Sequence, residues 1–508
     1  MNDWRQALPA AALLATGLAA GAALRFAGLE ERPMHADEAV LADKFGTLLE
    51  EGAYRYDPHG HHGPALLYLT LPAAKLRREH RYEALRETTL RAVPVVAGLL
   101  LAGAPFLLAG GAGRLALGFA SLFTAVSPAM VYYSRYYIPE MPLTLFVFTA
   151  VALGYRSLQC SRSRAAVMAV LAGLGAGAAW STKETALLAF AASLAAAAIV
   201  FRIVPWKQLL IALGAAGLSA GLFLSSFLSN PAGVADAVRS YFATYIPLAW
   251  SGGEHIHPWH FYLGLLLRAE PALLALAAGG VVLALRRPAE RLWRLLALFA
   301  LLLFAVYSAM PYKTPWCLLA FWQPALLLAG YGAARLTGAG RGPAAWLVWI
   351  LLGGVTVSSA AASWRLARDQ AAAAGNPYTY AQTLPDVLTV RRHIEEAARI
   401  HPDGRGVRVQ IFTTRNWWPL PWYLRDFPNA RWSRGVPAET PPAPLILASP
   451  DLEAELSRKL YEQPPPGERE IYLNLFEQPL AMRPGVEVRG YVAYRLWEQL
   501  RRNRAPQP

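Results

Sequence analysis

The sequence predicts a polytopic α-helical membrane protein with a small C-terminal α/β domain. Three observations carry this. Hydrophobic residues make up 55% of the 508 residues and charged residues only 16%, against about 25% charged in ordinary soluble chains. Mean hydropathy is +0.27. Apolar runs of the roughly 20 residues a bilayer requires recur as far as about residue 365, and the composition beyond is that of a soluble domain. Disorder and a plain soluble enzyme are excluded. Two cysteines, Cys160 and Cys317, exclude a disulfide scaffold and a cysteine-rich zinc module. The net charge of +14 does not point to nucleic acid, because the arginines are scattered between apolar runs. Topology and anionic lipid phosphates account for it.

Eleven apolar runs lie near 8–29, 93–112, 115–133, 138–155, 164–181, 185–201, 207–228, 270–285, 293–310, 316–334 and 343–363. They define a membrane domain over 1–365. A cleaved signal peptide is a competing reading of the first run. Its length, the lack of a cleavage site and the spans that follow favour a span. Gly173, Gly175 and Gly177 resemble a nucleotide loop only superficially, and small residues in an apolar run allow close helix packing. Arg114, Arg156, Arg162, Arg164, Arg202, Lys207, Arg286, Arg287, Arg291, Arg294, Arg335 and Arg341 fall in alternate short loops. The positive-inside rule then places the N-terminus in the cytoplasm and the C-terminal domain outside.

Three large pieces face outward: the loops 30–91 and 229–268, and the tail 366–508. In the tail a helical pattern at 385–400 precedes a strand-like Val407–Phe412. A second strand-like run, Leu445–Ala448, precedes a helical 450–461. This alternation predicts a small α/β domain, with the Pro-rich 435–444 as a loop.

The polar motifs sit where spans meet outer loops. His35-Ala36-Asp37-Glu38 opens an amphipathic helical pattern, read as lying on the membrane surface. Its acids suit either helix capping or a general base at the membrane edge. His59-Gly60-His61-His62-Gly63-Pro64 suits a metal, a phosphate or a bland surface. In Tyr132 to Glu140, Arg135 and Glu140 are costly at a membrane boundary unless paired or used. Arg135 suits a bidentate phosphate contact or snorkelling toward headgroups. Lys183 and Glu184 separate two apolar runs with almost no loop, and Lys313 plays a similar part before the tenth span. His255, His257 and His260 have spacing compatible with zinc, although Pro258 interrupts it. Trp418 and Trp422 belong to an aromatic segment suited to bilayer docking, sugar stacking or a core.

Together these residues resemble the GT-C superfamily of membrane glycosyltransferases, which use polyprenyl-phosphate-linked sugars. The resemblance rests on Asp37-Glu38 in the first outer loop, on Arg135 with Glu140 after the third span, and on Lys313. Protein O-mannosyltransferases and aminoarabinose transferases have acidic motifs in the equivalent place. The strings at 35–39, 62–64, 134–140, 182–184 and 418–425 are similar to a prokaryotic branch named for its association with flippase activity in archaeal N-glycosylation. One departure stands out. Aminoarabinose transferases carry a Lys-Pro pair where this chain has His62-Gly63-Pro64. His61 or His62 must replace that lysine, or its phosphate contact is lost.

The resemblance implies sugar transfer from a polyprenyl-phosphate donor to a lipid, glycan or protein acceptor on the outer face of a prokaryotic plasma membrane. Asp37 would be the base, and Glu38 or Glu140 would orient the donor or a metal. Arg135, Lys183, Lys313 and His62 would hold the donor phosphate, with Glu140, Glu184 and His61 in support. Trp418 and Trp422 are candidates for sugar or acceptor. No cofactor is required, and a divalent metal would draw on His61, His255, His257 and His260. The alternatives are a non-enzymatic transporter or flippase-associated protein for lipid-linked glycans, and a binding protein whose tail recognises sugar.

Overall fold

The computed structural model describes residues 3–57, 62–202, 205–251, 255–339 and 343–504. The chain divides into two compact units. The first holds Met1–Leu29, Lys44–His80 and Leu85–Tyr380; the second gathers Glu30–Asp43, Arg81–Ala84 and Ala381–Pro508.

Every apolar run in the first unit is helical. The helices are Asp3–Phe26, Glu87–Gly103, Arg114–Val126 continued by Pro128–Ser134, Glu140–Ser157, Arg162–Trp180, Ala186–Phe201, Trp206–Leu224, Pro271–Arg286, Arg291–Ala309, Leu319–Ala339 and Pro343–Trp364. Among the described residues, seven helices are long and apolar enough to cross a membrane, or up to nine if each bent pair is one span. The chain is a multi-pass membrane protein, and eleven spans are consistent with this set. Ala186–Phe201, with 16 residues, and Glu140–Ser157, which opens on a carboxylate, fall outside the length-and-composition count.

Two breaks shape this unit. Arg114–Val126 and Pro128–Ser134 meet at 55°, and Phe261–Ala269 meets Pro271–Arg286 at 118°. In each case a proline opens the second helix. It fits there because the first helical N–H has no partner anyway. Close packing explains two of the three glycines of the Arg162–Trp180 helix. A Cβ on Gly173 or Gly177 would collide with the carbonyls of Ala212 or Ala216 on Trp206–Leu224. The helix Ala36–Glu51 forms as its pattern predicts, but Leu41, Phe45 and Leu48 are buried within the protein rather than presented to a membrane surface.

The second unit contains the predicted α/β core. The helix Asp386–Ile400 buries Val387, Val390, Ile394 and Ala397 on one face. The strands are β1 (Val409–Phe412), β2 (Ala430–Ser433), β3 (Leu445–Ala448), β4 (Tyr472–Asn474), β5 (Leu480–Arg483) and β6 (Val486–Ala493). Their order is β2-β1-β3-β6-β4, with β5 on β6. β1 is parallel to β2 and β3, whereas β6 is antiparallel to β3, β4 and β5. β1 and β3 are buried throughout, as expected of parallel strands covered on both faces. Leu452, Leu456 and Leu460 cover Phe412, Ile446 and Ala448 on one of those faces.

Candidate active site

The acidic pair of the first outer loop resolves into two environments. His35 precedes the helix, and its Nδ1 accepts the Asp37 N–H at 3.1 Å. Glu38 Oε2 reaches back to accept the His35 N–H at 2.8 Å and an Arg32 N–H at 2.7 Å. This is a capping box, with Glu38 fully buried. The Asp37 side chain is left 48% exposed. Burial holds the His35 imidazole below its usual pKa against the opposing pull of Asp37 and Glu38. The ring is neutral, with Nδ1 as acceptor, so the 3.9 Å approach of His35 to Asp37 is not an ion pair. Capping therefore belongs to Glu38, and Asp37 is the open carboxylate of this segment.

In the first unit, four predicted residues from three distant motifs meet. Glu140 opens its helix, where the N-terminal dipole favours a carboxylate, and it pairs with buried Lys183. The next residue, Glu184, accepts or shares a proton with His62 Nδ1 at 2.8 Å. The His62 ring stacks on Tyr245. Gly63 makes this arrangement possible. A Cβ there would overlap the Ser181 carbonyl, which accepts the Ala65 N–H at 2.9 Å. The His62-Gly63-Pro64 loop thus lies directly on the turn carrying Lys183 and Glu184. Burial alone would lower the Lys183 pKa, but Glu140 reverses this and raises it. Burial alone would raise Glu184, but His62 and Lys183 hold its carboxyl below the usual range. Both groups are charged at neutral pH.

Lys313 lies in the turn before the tenth apolar helix and is buried. Its ammonium donates to the carbonyls of Met310 and of His257, the latter at 3.0 Å. Among the described residues it has no carboxylate partner. Residues 255–257 run alongside 311–313, through the Lys313 N–H to the His255 carbonyl and the His257 N–H to the Pro311 carbonyl. Burial, His255 and Lys313 all lower the His257 pKa, which marks a cation-rich edge. Thr314 and Cys317, 3.2 Å apart, continue this turn toward the Lys183–Glu140 pair, whose charges act on Cys317.

Among the described residues the histidines do not assemble as a metal set. His255 packs on Tyr312 and Tyr380, His257 stacks on Phe261 at 4.1 Å, and exposed His260 lies against Trp259. Among the described residues no group of three His, Cys, Asp or Glu could hold an ion. His61 lies outside the described residues.

Arg135 is engaged with the backbone. Its guanidinium donates to the carbonyls of Leu24, Arg25, Ala27, Gly28 and Ala367 at 2.7–3.3 Å. It therefore satisfies the C-terminal carbonyls of the first helix. Trp422 is buried, edge-on to Tyr82 and beneath the Arg425 guanidinium. Trp418 is half-buried.

Two residues of this region escape a reading of the sequence. Tyr245 is hydrogen-bonded to Glu184 and stacked on His62; it lies in a stretch with no distinctive motif. Glu270 is fully buried at the sharper helix break. It accepts hydrogen bonds from Ser127 (2.6 Å), Tyr378 (2.6 Å), the Ala129 N–H (2.8 Å) and Trp322 (3.2 Å). A carboxylate followed by proline at the head of an apolar run is the signal that could have marked it.

The signature of the dolichyl-phosphate-mannose-protein mannosyltransferase family matches residues 19–229. The ArnT protein of Cupriavidus metallidurans, solved bound to undecaprenyl phosphate, aligns with a TM-score of 0.67 at 14% identity, covering 94% of this chain and 97% of that one. The oligosaccharyltransferase of Archaeoglobus fulgidus in its apo form aligns with a TM-score of 0.59 at 12% identity, over 83% of this chain and 64% of that one. The same archaeal enzyme, AglB, in complex with an inhibitory peptide and a dolichol-phosphate, aligns with a TM-score of 0.56 at 12% identity, over 87% and 69%. No curated protein matches by sequence. The chain has the GT-C fold of these proteins.

Proposed function

We propose that this chain is a glycosyltransferase that moves a sugar from a polyprenyl-phosphate donor to an acceptor hydroxyl at the outer face of a prokaryotic plasma membrane. The observation that carries the reading is the set of charged side chains gathered at helix ends of the GT-C fold. Lys183 is buried against Glu140, the partly exposed His62 is paired with buried Glu184, and Lys313 is buried with carbonyl partners only. Burying an ammonium without an anion is costly. The phosphate of a lipid-linked donor supplies that anion.

In the proposed reaction the acceptor oxygen attacks the anomeric carbon while the bond from that carbon to the phosphate oxygen breaks. The acceptor proton passes to Asp37, whose carboxylate is open. The electron pair of the broken bond stays on the phosphate, where Lys313, Lys183 and His62 stabilise the developing charge. His62 stands in for the lysine that aminoarabinose transferases carry. Glu140 and Glu184 orient Lys183 and His62. Glu38 and Arg135 act at one remove, through the helix cap that presents Asp37 and through the end of the first helix. The N-terminus is cytoplasmic and residues 366–508 are extracytoplasmic, in keeping with the basic residues of the alternate loops.

The test is a panel of radiolabelled polyprenyl-phosphate sugars offered with acceptor to the purified chain and to Lys313→Met. Release of polyprenyl phosphate that falls at least about a hundredfold in the variant supports the reading, since one preorganised charge contributes on that order. Equal release by both proteins removes Lys313 from the site.

A further inference from the structure

The carboxyl ends of β2, β1 and β3 carry a feature that the proposed sugar transfer does not use. β1 lies between the other two, so the chain turns from β1 to β2 on one side and crosses to β3 on the other. In open α/β sheets such a reversal leaves a crevice at the carboxyl ends of the strands, where ligands bind. β1 runs into Thr413-Thr414-Arg415-Asn416-Trp417, β2 into Arg434, and β3 into Ser449-Pro450-Asp451.

These exits are held side by side. The Thr413 N–H donates to the Ser433 carbonyl at 3.0 Å, and the Ser449 N–H to the Phe412 carbonyl at 2.9 Å. The Ser449 hydroxyl donates to Thr413 Oγ1 at 2.8 Å, and the Thr414 hydroxyl to Asp451 at 2.6 Å. Trp417 and Trp432, both half-buried, are in ring contact with centroids 5.8 Å apart. Arg415 and Arg434 are exposed, and among the described residues neither guanidinium has a hydrogen-bond or ion-pair partner. The rings suit the C–H face of a sugar, Asn416 and Asp451 suit its hydroxyls, and a guanidinium suits a carboxylate.

We propose that this crevice binds an acidic saccharide, with the sugar on Trp417 and Trp432 and its carboxylate on Arg415 and Arg434. The site shares no residue with those proposed to hold the donor phosphate, and its occupancy is independent of the transferase reading.

The test is calorimetric titration of the full-length chain in detergent with a galacturonate hexamer and with neutral maltohexaose. The uronate is expected to bind at least about tenfold more tightly, one well-placed ion pair corresponding to that ratio. The double substitution Arg415→Gln/Arg434→Gln, confined to two exposed side chains, is expected to abolish that preference. Trp432→Ala is expected to weaken both sugars about tenfold, and Trp432→Phe, which keeps a ring, by less than about threefold. No uronate binding, equal binding of the two sugars, or full affinity in the arginine variant overturns the proposal. Polyprenyl phosphate release, measured on the same arginine variant, reports separately on the transferase reading.

Discussion

The Ser127 hydroxyl donates to Glu270 Oε2 at 2.6 Å and so joins the two breaks of the membrane unit. Ser127 separates the helices that meet at 55°, and Glu270 those that meet at 118°. The same carboxylate accepts the Ala129 N–H at the start of the Pro128–Ser134 helix. It thereby fixes the segment that leads to Arg135 and Glu140. Glu270→Ala strands its buried donors and is expected to destabilise the protein by about 3–5 kcal/mol, whereas Ser127→Ala is expected to cost about 1 kcal/mol. Thermal unfolding in detergent checks the ranking, and equal effects would contradict the joint described.

The buried Lys183–Glu140 pair separates stability from chemistry. Lys183→Met leaves Glu140 buried and uncompensated, an expected loss of about 3–5 kcal/mol. Adding Glu140→Leu removes the orphaned charge and is expected to restore most of that stability without restoring turnover. A double-mutant cycle on unfolding and on donor release measures both; additive stability losses would show that the pair does not interact.

Glu38 and Asp37 are expected to differ in kind. Glu38→Gln weakens the Arg32 pair and the helix cap, at a cost of about 1–3 kcal/mol. Asp37→Asn touches neither and is expected to leave unfolding unchanged within about 0.5 kcal/mol. Comparing the two melting curves checks this, and a large shift for Asp37→Asn would assign it a structural role instead.

In the second unit, Asp426 accepts from Arg391 at 2.8 Å and from Arg405 at 2.7 Å. Burial alone would raise its pKa, but Arg391 and then Arg405 hold it below the ordinary carboxylate value. A depressed pKa contributes stability that is present above the ordinary Asp pKa of about 4 and is lost as pH falls through the depressed value. At neutral pH, Asp426→Asn is expected to speed amide exchange in the Asp386–Ile400 helix, by an amount that shrinks as the pH is lowered. A difference that grew on acidification would reverse the sign of the linkage.

Much of this architecture is legible in the sequence, because a bilayer admits few solutions. Each apolar run became a helix where its composition placed it. The helix at 386–400 and strands β1 and β3 announced themselves through periodicity and unbroken apolar runs. β2 did not, since Ala430-Arg431-Trp432-Ser433 is a short edge strand that is only half-buried. Strands β4 and β5 are only three and four residues long, too short to show a period, and Gly490 interrupts the apolar face of β6. At the site, the residue types drew attention to Lys183, Glu184, His62 and Glu140, but their pairing depends on Gly63 lying against Ser181 across more than a hundred residues. Periodicity says nothing about such contacts. Arg135 shows the converse: its residue type suggested phosphate, while backbone carbonyls surround it.

The most direct test of sugar transfer is release of polyprenyl phosphate from a labelled polyprenyl-phosphate sugar by the wild-type chain and by Asp37→Asn, with an acceptor present. Release by the wild type is expected, and loss of release in a variant that still folds and still binds the donor. Undiminished release by Asp37→Asn would contradict it.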